Sequence, residues 1–108
     1  MSYQIEFYNQ QVQALIESWP AGIAASFVRI TEQMATTGPN LGLPYTKALG
    51  KSLFEIRAKG KEGIGRGFYC ALIGQRIIIL HGFIKKTQVT PNNELKIARK
   101  KLKEISNV

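Results

Sequence analysis

A chain of 108 residues can bury one hydrophobic core but not two, so residues 1–108 are expected to form a single domain. Apolar residues make up 44% and charged residues 20%, which excludes a disordered chain, and no run reaches the roughly 18 apolar residues of a membrane span. The formal charge of +8 favours polyanionic partners and is unevenly placed: before Lys47 the one cation is Arg29, against Glu6, Glu17 and Glu32, so the rest of the chain carries the excess.

From the N-terminus, Tyr3 to Tyr8 alternates Ile5 and Phe7 with polar neighbours, as a half-buried strand does. Asn9 is placed to cap a helix in which Val12, Leu15 and Ile16 share a face, ending at Trp19-Pro20. A second helix is predicted from Ala21 to Thr36, with Ile23, Phe27, Ile30 and Met34 at three- and four-residue steps. Thr37 to Tyr45, TGPNLGLPY, reads as a connecting loop because Gly, Pro and Asn favour turns. Three strands follow, Ser52–Ala58, Ile64–Ile73 and Arg76–Ile84, joined by turns too short for anything but an antiparallel meander. Thr90 and Pro91 suit the start of a last helix that carries Leu95, Ala98, Leu102 and Ile105 on its apolar side. The expected fold is therefore α+β, a small antiparallel sheet in the order β-α-α-β-β-β-α with the helices packed on one face.

Alternation puts Leu53, Glu55, Arg57 and Lys59 on one face of their strand and Phe54, Ile56 and Ala58 on the other. If the meander pairs in order, Arg66 near the first turn and Lys85-Lys86 at the end of the third strand converge on Arg57 and Lys59, while Arg76 lies at the far end. Converging cations stabilise the charge that builds on a phosphate undergoing displacement, and arginine adds a two-pronged grip. Crowding also depresses a lysine pKa, which would let Lys59 or a neighbour exchange protons near neutral pH. The plainer explanation, a solvated basic face, carries about equal weight.

Other candidates are weaker. Phe68 shares the parity of Arg66 and Tyr69 has the opposite parity, so at least one of these aromatics belongs to the core rather than to a base-stacking platform. His81, the only histidine, sits within IIILHGF and reads as a hydrogen-bonded core imidazole. GKEGIGRG is followed by a strand, not the helix that a phosphate-cradling loop requires, so its glycines read as hairpin residues. With the single cysteine Cys70, no disulfide can close within the chain, and no cluster of His, Cys and carboxylates suggests a metal or other cofactor. Met1 to Gln10 lacks the layout of a secretory signal, so a cytoplasmic protein without membrane contact is expected.

The order of elements together with LFEIR, the Arg66-x-x-Tyr69 strand and HGFIKKTQVTP leading into the last helix resembles the RelE/ParE toxin superfamily, in its phage-derived, HigB-like branch. The resemblance covers most of the chain and implies a RelE-like toxin of a type II toxin–antitoxin pair. It implies a metal-independent endoribonuclease that cuts messenger RNA on the ribosome and is silenced by a cognate antitoxin, commonly a helix-turn-helix protein. In such enzymes the ribose 2′-hydroxyl attacks the adjacent phosphate and leaves a cyclic phosphate and a 5′-hydroxyl. By position, Arg66 and Lys86 fall to stabilising the phosphorane, Lys59 to proton transfer and Arg57 to the flanking phosphate, with Lys85, Lys61, Tyr69 and Arg99 left to bind RNA. The last helix and its tail lack the tyrosine or histidine that many relatives add, so the general base stays open. Two alternatives stand beside this reading: a ParE-like, noncatalytic inhibitor of DNA gyrase, and a basic module that holds RNA without chemistry.

Overall fold

The computed structural model describes residues 2–72, 74–85 and 91–106. In chain order the elements are β1 (Gln4–Phe7), α1 (Gln10–Glu17), α2 (Ala21–Thr37), β2 (Thr46–Gly50), β3 (Leu53–Gly60), β4 (Gly63–Leu72), β5 (Arg76–Lys85) and α3 (Asn92–Ser106). Asn9 caps α1 as expected, its side chain accepting from the Val12 amide at 2.9 Å. The expected cap Thr90 lies outside the described residues, and α3 starts one residue after Pro91.

The α+β class holds, with three differences in the arrangement. First, β2 adds a strand where no strand was expected, pairing antiparallel with β3 through Thr46↔Ile56, Lys47↔Glu55 and Ala48↔Phe54. Second, β1 joins the far edge parallel to β5, so the five-stranded sheet β1-β5-β4-β3-β2 is mixed. Two helices separate β1 from the meander, which gives the chain the length a parallel return needs.

Third, the helices cover both faces. α1 and α2 bury Val12, Ile16, Ile23, Phe27 and Met34 against Ile56, Ala58, Tyr69, Ile77 and Ile79. α3 buries Ala98 and Leu102 against residues of the opposite parity, Leu53, Phe68, Cys70, Ile78 and Leu80. A register shift between Phe68 and Tyr69 leaves Leu80 as an extra residue in β5 and turns both Leu80 and His81 toward α3. Among the described residues, no helix is long and apolar enough to cross a membrane.

Gly65 is one of the glycines that let α1 and α2 approach the sheet closely. A Cβ on Gly65 would stand 2.6 Å from the Trp19 ring and 2.8 Å from Ile23 Cγ2, inside any real contact distance. Gly65→Ala should therefore cost about 1–3 kcal/mol through overpacking, read as a lower urea midpoint with an unchanged slope. A neutral effect would mean that Trp19 can move aside.

Candidate nucleic-acid interface

The register of β3, β4 and β5 arranges the face shared with α3 as a lattice of rows, adjacent side chains standing about 5 Å apart. One row holds Lys59, Ile64 and Lys85; the next holds Arg57, Arg66 and Phe83; the third holds Glu55, Phe68 and His81. Four cations thus occupy two neighbouring rows at the end of the sheet near the β3–β4 turn. α3 lies over the other end, where Leu53, Cys70 and Ile78 meet Ala98 and Leu102.

Arg57 and Arg66 stand directly opposite each other, an unfavourable pair unless a counter-charge intervenes. Glu55 supplies it. Its carboxylate accepts from Arg66 Nη1 at 2.8 Å, reaching across to the next row. Both partners are buried, Arg66 at 6% exposure and Glu55 at 1%. Arg66 is consequently fixed beneath the surface, with Arg57 and Lys85 half-buried and Lys59 exposed around it. Burial, then the charges of Arg66 and Arg57, hold the Lys85 ammonium below the ordinary lysine value, with Glu55 opposing. At Lys85, then, burial is the larger cause and the crowding of neighbouring cations the lesser one.

Other expected site residues stand elsewhere. Tyr69 corrects the expectation of an RNA contact: it is 0% exposed, its ring stacks on Phe54 at 5.3 Å and its hydroxyl donates to the Pro39 carbonyl. Desolvation pushes that phenol up to about 12. Phe68 is equally buried on the other face, because helices cover both sides of β4. Arg99 is also removed from the cluster, since it donates to the carbonyls of Leu49 and Gly50 at 3.2 and 3.4 Å and so straps α3 to the β2–β3 turn. Lys61 is exposed in the β3–β4 turn, and Lys86 lies outside the described residues. His81 is hydrogen-bonded as expected but only half-buried rather than in the core, with Nε2 2.7 Å from Glu94 Oε1 of α3 and its ring stacked on Phe68. Arg76 pairs with Glu6 at the opposite end of β5.

Two residues that sequence reasoning passed over border the cluster. A cleft of about 410 Å³ opens beside Arg57 and Lys59, and Arg29 from α2 and Tyr45 from the loop before β2 line it. Both had a weak signal: Arg29 is the single cation of the first 46 residues, and Tyr45 is an aromatic in a turn-rich loop.

No curated protein matches the chain. Residues 14–103, which span α2, β2 to β5, half of α1 and most of α3, match the family described as Phage derived protein Gp49-like, and on that match over most of its length the chain belongs to this family.

Proposed function

We propose that the chain is the toxin of a type II toxin–antitoxin pair and acts as an endoribonuclease on messenger RNA at the ribosome. Membership of a phage-derived family supports the coarse reading. The observation that carries the finer one is the two-row cluster of Arg57, Lys59, Arg66 and Lys85, with a lysine of lowered pKa among arginines.

In this reading Arg57 grips the phosphate, and Arg66, anchored by Glu55, adds a fixed charge as negative charge grows on the nonbridging oxygens. The proton-transfer role expected of Lys59 falls to Lys85, whose neutral amine is reached at lower pH than that of an ordinary lysine. It takes the proton of the 2′-hydroxyl as the O2′–P bond forms. The P–O5′ bond breaks, O5′ takes a proton from solvent water while the Lys85 ammonium later returns its proton to solvent, and a 2′,3′-cyclic phosphate and a 5′-hydroxyl remain. Lys86 is proposed as a further ligand of the phosphorane and Lys61 as an outer RNA contact. A cognate antitoxin would silence the toxin by covering or distorting this face.

The test is a translating extract supplied with end-labelled messenger RNA. Cleavage with cyclic-phosphate ends, blocked by a 2′-deoxy nucleotide at the cut position, is the expected result. Intact transcripts in the extract, with arrested growth and damaged DNA in cells that express the chain, would overturn it in favour of gyrase inhibition.

A further inference from the structure

We propose that the cleft beside the cation cluster is a nucleotide-binding subsite, which takes a nucleotide of single-stranded RNA flanking the phosphate held by Arg57. The proposal rests on the ribonuclease reading for its orientation, and on the cleft's own chemistry for its ligand.

At about 410 Å³ the cleft falls in the size range of small-molecule sites. Arg29, Arg57 and Lys59 bring three cations to its wall, and its lining contains no carboxylate among the described residues. Tyr45 adds an aromatic ring that is 47% exposed. A phenol ring beside guanidinium groups matches a nucleotide, which offers a flat base to the ring and a phosphate to the cations. An acidic peptide would use the cations and leave the ring without a partner.

The platform is held in place. The Tyr45 carbonyl accepts from the Arg57 amide at 2.8 Å, and the Tyr45 amide donates to Gly42 at 3.1 Å. These bonds tie the Tyr45 backbone, from which the ring projects, to the strand that carries Arg57. Arg57 belongs to both the cleft and the cluster, so a strand with one phosphate at the cluster has its neighbouring nucleotide within reach of Tyr45 and Arg29. Ser26, on the same face of α2 as Arg29, adds a hydroxyl to the wall for a sugar or base edge.

The experiment uses the full chain and uncleavable 2′-O-methyl RNA, as a dinucleotide and as a hexanucleotide, with binding read by fluorescence anisotropy. Tyr45→Leu and Arg29→Ala should each weaken the hexanucleotide by about tenfold, consistent with the loss of one stacked base or one phosphate contact, and Tyr45→Leu should weaken the dinucleotide too, because a nucleoside next to its one phosphate reaches the cleft. Both residues are exposed, so melting temperatures should match the parent. A hexanucleotide carrying 5-iodouridine should cross-link to the peptide containing Tyr45. Wild-type hexanucleotide binding by both variants, cross-links only elsewhere, or displacement of RNA by an oligoglutamate at equal concentration would overturn the subsite. The two readings fail separately. A Tyr45 cross-link without any RNA cleavage would sink the ribonuclease and leave the cleft, whereas cleavage with wild-type binding by both variants would do the reverse.

Discussion

Replacing Glu55 with alanine should destabilise the fold by about 3–5 kcal/mol, a large part of the 5–15 kcal/mol typical of a domain this size. The carboxylate is the counter-charge of a guanidinium that is itself almost wholly buried, 2.8 Å away and directly opposite another arginine. Removing one member of such a pair leaves the other charge desolvated. Arg66→Ala should cost a comparable amount, for the mirror reason. The Glu55→Leu, Arg66→Met double variant should recover most of the loss, because two apolar side chains of similar volume satisfy the same buried space. Cleavage of RNA should stay down by several powers of ten in that double variant, since stability returns and the fixed charge does not. Urea melts and single-turnover cleavage on the three variants check this. Recovery of cleavage along with stability would reduce Arg66 to a structural residue, and a Glu55→Ala cost below about 1 kcal/mol would mean that the pair is solvated.

Alternation and helical periodicity made much of this molecule legible. The parity of LFEIRAK fixed which residues of β3 look toward the cations, and the step pattern of Ile23, Phe27, Ile30 and Met34 fixed the buried face of α2. What stayed hidden depends on tertiary choices that local pattern does not encode. β2 escaped because its turn is built from Lys51 and Ser52, both at positive φ, a two-residue geometry that usually advertises itself as Asn-Gly. Periodicity says that α3 has an apolar face but not which side of the sheet will receive it, and its docking opposite α1 and α2 is what buries Phe68 as well as Tyr69. The same limit applies at the site. Parity grouped Glu55 with Arg57, but only the register revealed that the carboxylate crosses to Arg66 and that Arg66 is held beneath the surface rather than presented from it. Arg29 and Tyr45 are separated from Arg57 by up to 28 positions in sequence and meet it only once α2 packs on β3.

Lys85→Met should lower cleavage by roughly a hundred- to ten-thousandfold, the range for loss of a positioned proton-transfer group, with little change in RNA affinity. The pH dependence gives the sharper test. A base acts in its neutral form, so log kcat/KM should rise with pH and level off above the Lys85 pKa, which burial and the charges of Arg66 and Arg57 hold below the ordinary lysine value. Arg57→Ala removes one of those charges and leaves the burial. The acid limb should then move to higher pH without reaching the position of an ordinary lysine, and nitrogen NMR of the Lys85 amine should follow the same shift in the absence of substrate. Linkage sets the sign for folding as well. Between the lowered folded value and the ordinary unfolded one, the unfolded chain binds more protons, so this residue makes stability rise with pH through that window. In Lys85→Met the acid limb and this slope should vanish together, because one titrating amine causes both. A variant that keeps the wild-type acid limb would assign the base to another group, with Lys59, in the same row across Ile64, the nearest alternative.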